Sequence, residues 1–341
     1  MKKILLIGPL PNKYDSSKTG GITILFELFL EELQNKNIQF DVIDTLKENN
    51  GGGLKTLIKT WLNLILNINK YEYVSLHSTK GSFITVAPLL VFLSKLFSKK
   101  SSIRVFAGSF SDTYHHAGIV KKFMIRSVLR NVDTVFFELK SFVTEFKCFN
   151  PNIFWFPNVR KNTLTKKKER IYNKRFVYIG SINEEKGIDD ICAIVNKLDN
   201  DITFDLYGPI LEEKYTLDYF TQKGVSYKGA LRSEEVQGVM DQYDILVLPS
   251  YREGYPGVII EAFLLGLPVI TTKLSGIMEI CIDGKNALLI EAGDKEGLLK
   301  AISHMTQDKY TILARNASAS FDDFDSEKQT DLFLKRIEFT N

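Results

Sequence analysis

Glu253 and Glu261 stand eight positions apart in REGYPGVIIE, 252–261, on either side of a turn built from Gly254, Tyr255, Pro256, Gly257 and Val258. The stretch leaves a strand-like run and enters a helical pattern that carries Glu261. Glycines at 254 and 257 let backbone come close to a ligand. A carboxylate near the start of such a helix can accept two hydroxyl hydrogen bonds from a ribose. The other reading of Glu261 is a first-turn residue placed by the helix dipole. A second loop, GSINEEKGI, 180–188, sets Lys186 between a strand end at Gly180–Ser181 and a helix starting near Gly187. A lysine is poorly placed beside a helix N-terminus, so a bound anion would account for it, unless Glu184 and Glu185 simply offset it in solvent. A third loop brings Gly20 and Gly21 directly before ITILFELFLEEL. Paired glycines there suit an anion at a helix start, or a plain turn, and they lack the G-x-G-x-x-G spacing of a dinucleotide site.

The surrounding elements give these loops their place. Apolar and β-branched runs occur at 3–8, 40–44, 73–77, 102–108 and 134–138, and again at 176–180, 203–208, 244–249, 268–272 and 287–291. Amphipathic helical stretches such as 188–198 and 234–243 lie between them. Runs apolar on both faces and alternating with helices predict parallel strands covered on both sides. The pattern runs twice, which predicts an α/β protein of two tandem, Rossmann-like, doubly wound domains. In such sheets ligands bind outside the carboxyl ends of the strands, where all three loops fall. The polar, charged stretch 161–175 reads as a linker, which sets domains at 1–165 and 166–322. SEKQTDLFLKRIEF reads as a closing helix within 323–341 that packs back on the first domain.

With 341 residues and 44% hydrophobic content the chain is long enough for two cores. The 44 Lys and Arg against 41 Asp and Glu give a net charge of only +3, so no global field points to nucleic acid. Cys148, Cys192 and Cys281 are far apart and form no C-x-x-C pair, which fits a reducing, cytoplasmic setting and no metal site. The opening MKKILLIGPLP is too short a run for a signal peptide and reads as a first buried strand. FITVAPLLVFLSKLF, 83–97, is interrupted by Pro88 and Lys95 and falls short of the roughly 20 residues a spanning helix needs.

Over 176–300 the chain resembles the GT-B-fold glycosyltransferases of family 4, a retaining group that includes many bacterial polysaccharide-assembly enzymes. The resemblance rests on Gly180 to Gly187 as the G-x-x-x-x-x-K-G element, on Glu253 and Glu261 as the spaced pair, on the turn Gly266 to Pro268, and on SGIMEICIDGKNALLI. The first half matches more loosely, through Gly20–Gly21, the AGSFSDTY loop and the FPN at 156–158. The resemblance implies two domains facing a central cleft and transfer of a sugar from a nucleotide-sugar, UDP favoured over GDP, to a hydroxyl of a glycan or polyprenyl-linked acceptor. Lys186 would stabilise the diphosphate, Glu261 would hold the ribose, and Glu253 with Gly254–Gly257 would address the sugar and phosphates. Gly20 and Gly21 would complete the pocket. No cofactor or metal is implied, because fixed cations and helix dipoles take that role. Ser181 departs from the arginine common at that position, with Arg252 or Lys273 as substitutes. Ser109, Asp112, His115 and His116 are candidates for positioning the acceptor, the two histidines being equally readable as a solvated pair at a helix start. His77, at a strand end, is open between the two readings.

Helical stretches at 54–71 and 88–100 mix Leu and Phe faces with lysines, which suits shallow contact with the inner membrane leaflet; the alternative is core helices with their lysines outward. Rival functions are a non-catalytic nucleotide-sugar-binding homologue, prompted by Ser181, and a nucleotide-sugar 2-epimerase, which the four histidines of the chain disfavour. Neither half has the fingerprint of a Rossmann dehydrogenase.

Overall fold

A computed structural model describes residues 3–14, 21–163 and 170–339. The chain divides into two compact units. One runs to Lys161 and resumes at Asp325; the other is Asn162–Phe324.

In the first unit, β1 (Ile4–Gly8), β2 (Phe40–Asp44), β3 (Tyr73–Ser78), β4 (Lys100–Val105), β5 (Thr134–Phe137) and β6 (Ile153–Trp155) form one sheet in the order β2-β1-β3-β4-β5-β6. Every pairing is parallel. The helix Gly21–Asn35 turns Phe26, Phe29 and Leu33 onto the sheet, beside Ile4, Leu6 and Phe136. The last helix, Ser326–Arg336, packs on Gly21–Asn35 and adds Phe333 and Leu334 to that cluster, with Ile337 and Phe339 just beyond it. Its start is fixed by polar contacts: the Ser326 hydroxyl donates to buried Glu32 at 2.5 Å and the Ser326 N–H to the Arg160 carbonyl at 3.0 Å.

The second unit has β7 (Arg175–Ile179), β8 (Thr203–Tyr207), β9 (Ser226–Tyr227), β10 (Ile245–Leu248), β11 (Val269–Thr272) and β12 (Ala287–Ile290), again all parallel, in the order β12-β11-β10-β7-β8-β9. After β7 the chain steps outward through β8 to β9. It then returns to the other side of β7 and steps through β10 to β12. The order therefore reverses between β7 and β10.

All ten strand runs read from the sequence overlap a strand, with ends displaced by at most three residues. The edge strands β6 and β9 were missed, because three and two residues are too few for any periodicity. Part of the supposed linker is also packed rather than solvated. Residues 164–169 lie outside the described residues, but the Arg170 side chain is only 7% exposed, donates to the Leu265 carbonyl at 2.8 Å and the Tyr243 carbonyl at 3.0 Å, and pairs with Asp241. Tyr172 stacks on Tyr310 with ring centroids 5.0 Å apart. A run rich in charge can still dock when a guanidinium finds orphan carbonyls at helix ends.

Candidate functional site

In an open doubly wound sheet, the crevice for a ligand lies at the carboxyl ends of the two strands between which the order reverses. In the second unit those are β7 and β10, and the loops leaving them are 180–187 and 249–256. Both were singled out by sequence, and the fold makes them neighbours. The Tyr251 N–H donates to the Glu185 carbonyl at 2.8 Å, joining loop to loop. Gly187, at φ +73°, lies so close to the second loop that a Cβ there would be 2.2 Å from the Pro249 carbonyl oxygen. Only glycine meets both demands. The Gly180 carbonyl is approached as closely, since a Cβ on Gly208 would sit 1.7 Å from it.

Lys186 and Glu253, one from each loop, meet at this seam. The ammonium is 2.7 Å from Glu253 Oε1, and the buried Ser250 hydroxyl donates to the same oxygen at 2.8 Å. Their side chains are 24% and 10% exposed, so the pair is mostly out of water and screened weakly. Asn183 fixes the approach of the lysine: its side-chain oxygen accepts the Lys186 N–H at 3.1 Å and caps the turn Glu184–Lys186. Ser250 is held in turn, its carbonyl accepting the Thr272 hydroxyl at 2.7 Å.

The Gly-Pro turn feeds the helix Gly257–Leu264, with Pro256 at its cap and Val258 in its first turn. This helix ends in a Schellman arrangement, Leu267 N–H to the Ala262 carbonyl and Gly266 N–H to that of Phe263, with Gly266 at φ +73°. Its first turn holds no acidic residue. Glu261 is the fifth residue, half-buried, in the second turn. The reading of Glu261 as a first-turn capping residue is thereby removed, because the dipole effect falls off within that turn. Tyr255 is buried in this unit, its ring 6.4 Å from that of Phe324.

One residue that sequence reasoning did not weigh as a site element is Gly276. A Cβ on it would lie 1.6 Å from the Gly254 carbonyl oxygen. The short helix Ser275–Met278 therefore abuts the turn and sets its height above the sheet. Ser250 and Asn183 were also missed, since neither carries a charge nor forms part of a recognisable spacing.

Neither candidate substitute for an arginine at 181 points to a role there. Arg252 is 77% exposed with its nearest carboxylate, that of Glu185, at 3.7 Å, and Lys273 is paired with Glu291 at 2.7 Å. The Ser181 carbonyl accepts the Tyr178 hydroxyl at 2.7 Å.

In the first unit, Gly20 lies outside the described residues. Gly21 begins its helix, and a Cβ there would meet no described atom within 4 Å, so packing among the described residues does not require glycine. Ser109 precedes the helix Phe110–His115, and its carbonyl accepts the Thr113 hydroxyl at 2.9 Å. Asp112 is exposed. His115 ends the helix rather than starting it and is tied to Glu145 at 2.7 Å; His116 Nδ1 lies 2.9 Å from the Asp112 carbonyl. These four share the carboxyl end of β4, but the histidines have local partners. His77 is buried, packed against Phe26 and Phe29 with ring centroids at 4.7 and 4.8 Å. It stands opposite buried Arg104 across β3 and β4. Burial holds its pKa well below the usual histidine value, and Arg104 pushes the same way. It is a core residue.

Two parallel six-stranded doubly wound sheets are those of a GT-B fold, and the family model of glycosyl transferases group 1, which matches residues 173–308, indicates a glycosyltransferase. Among its relatives is a 41.2 kDa protein of the cps region of Klebsiella pneumoniae, 23% identical over 81% of either chain. The capsular polysaccharide biosynthesis glycosyltransferase CapM of Staphylococcus aureus is 28% identical over 43% of this chain and 41% of its own, so the match spans less than half of CapM. Among solved structures, HepE of Anabaena in complex with UDP superposes over 100% of both chains with a TM-score of 0.74 at 17% identity. The fold is thus shared end to end, while the family model matches within the second unit.

Proposed function

We propose that the chain transfers a sugar from a nucleotide-sugar, UDP-linked in preference to GDP-linked, to a hydroxyl of a glycan or polyprenyl-linked saccharide in the cytoplasmic stages of surface polysaccharide assembly, as a retaining enzyme of family 4. The observation that carries the reading is the Lys186–Glu253 pair at the seam of two glycine loops on a topological switch point. Supporting it, HepE has been solved with UDP and with UDP-glucose, and CapM is a capsular polysaccharide glycosyltransferase.

In this reading the diphosphate lies over the 180–187 loop. Lys186 Nζ moves from the Glu253 carboxylate to the phosphate oxygens, and the N–H groups at Gly257 and Val258 add their dipole. Glu261 accepts the two ribose hydroxyls. The anomeric carbon–oxygen bond to the diphosphate breaks, the acceptor oxygen forms its bond on the same face, and the acceptor proton leaves on the departing phosphate. Charge develops on the diphosphate, where a fixed cation acts without a metal.

Purified protein should turn over a UDP-sugar with a saccharide acceptor, and keep doing so in EDTA. Lys186→Ala should lower kcat/KM by about 10²–10³-fold. Glu261→Ala should act mainly on the donor KM, by roughly tenfold or more. Full activity in both correctly folded variants would sink the assignment; UDP binding without transfer across an acceptor panel would favour the non-catalytic reading.

A further inference from the structure

The helix Gly53–Asn67 is turned inside out. Thr56, Thr60 and Leu64 face the core, while Leu54, Leu62, Ile65 and Leu66 stand in solvent, Leu62 at 53% exposure. Burying threonines and exposing leucines forgoes roughly 1.5–3 kcal/mol per large side chain, so a monomer in water gains nothing from this orientation. The Trp61 indole N–H donates to the Thr85 carbonyl at 3.0 Å, which pins the helix in this rotation. Of the two readings of this segment, that of core helices with lysines outward holds for Lys55 and Lys59, but most of the apolar residues are outward with them.

The neighbouring helix Ala87–Leu96 touches both Gly53–Asn67 and the helix Ile119–Asn131. It leaves Phe92 and Leu96 exposed, and Ile119, Val120 and Phe123 are exposed on the third helix, Phe123 at 73%. A cavity of about 270 Å³, lined by Pro88, Val91, Phe92, Met124 and Val128 with Lys95 at its edge, opens between the second and third helices. One face of one unit thus joins three apolar stripes. Exposed apolar surface on this scale marks an interaction site.

The charges say what covers it. The three helices together carry Lys55, Lys59, Lys95, Lys121, Lys122, Arg126 and Arg130 and no Asp or Glu, in a chain whose totals are nearly balanced. The nearest acid, Asp133 beyond the third helix, is 3.7 Å from Lys95. Lys122 lies over Tyr114, and Arg126 and Arg130 over Phe149, so these three turn toward neighbouring elements; a second copy meeting the face across a two-fold axis would still set Lys55, Lys59, Lys95 and Lys121 against the same four, which opposes dimerisation. Leu, Ile, Phe and Trp side chains surrounded by cations instead match a lipid surface whose headgroups are anionic.

We propose that this face of the first unit docks on an anionic membrane leaflet, with Leu62 and Phe123 entering the acyl boundary and Lys59 and Lys121 on the headgroups. The inference stands on this surface alone and does not depend on the sugar-transfer reading. The test is sedimentation of the full chain with vesicles of phosphatidylcholine containing one third phosphatidylglycerol, against phosphatidylcholine alone, at low and high salt. Binding should require the anionic lipid and weaken with salt. Lys59→Ser with Lys121→Ser should reduce partitioning roughly thirtyfold, and Leu62→Ser with Phe123→Ser should abolish it, with unchanged melting temperatures because all four side chains are exposed. Failure to bind anionic vesicles, binding that ignores both pairs of substitutions, or a dimer in vesicle-free solution that Leu62→Ser with Phe123→Ser dissociates would each overturn the proposal.

Discussion

Glu253 is a carboxylate set beside the ammonium that the proposed reaction needs. Ser250 donates to the same oxygen, a tether that does not depend on the lysine. On the proposed reading a diphosphate must compete with a negative charge to gain Lys186, and the remaining carboxylate repels it. Glu253→Gln keeps the size and one acceptor oxygen but removes that charge. UDP should bind this variant about tenfold more tightly while sugar transfer falls. Calorimetric titration decides the matter: equal or weaker UDP binding would mean that the carboxylate does not compete for the ammonium.

Among elements, the short helix Ser275–Met278 governs the turn before Gly257. Because a Cβ on Gly276 would fall 1.6 Å from the Gly254 carbonyl oxygen, Gly276→Ala must push the turn off its seat or shift the helix. Donor affinity should fall by at least tenfold, with a loss of stability of about 1–3 kcal/mol from the clash. Activity and melting temperature at wild-type levels would show that the contact does not set the site. This element also shows what was legible in advance. The glutamate spacing and the Lys186 loop are local patterns, so they could be read from the letters, and the loop glycines could be suspected. That Gly276 serves Gly254, 22 positions away, follows only from the packing of two loops. The helix Gly53–Asn67 illustrates a different limit: its amphipathic pattern identifies two faces but carries no sign saying which one is inward.

For the whole molecule, the two units should respond to different variables. UDP, which the proposed reading places in the second, should raise that unit's transition in a calorimetric scan, by mass action. The first should respond to pH through His77. Unfolded, this histidine titrates near 6.5; folded, burial holds it neutral to well below that value. The unfolded chain therefore binds the extra proton first. Stability is at its full value above about pH 6.5 and declines as pH falls from there toward the folded pKa. The first unit's melting temperature should drop between pH 7.5 and 5.5, and His77→Phe should flatten this dependence even if it shifts the overall value. An unchanged slope in that variant would assign the effect to other groups.

The first unit is also discontinuous in time. Its core cluster, with Phe26, Phe29 and Phe136, is completed by Phe333, Leu334, Ile337 and Phe339, which follow the whole of Asn162–Phe324. On a ribosome, the first 161 residues wait about ten to thirty seconds for the helix that closes them. During that interval the face of Gly21–Asn35 that will receive Phe333 is bare, while the uninterrupted second unit can finish folding. Synthesis thus begins the first unit first and completes it last.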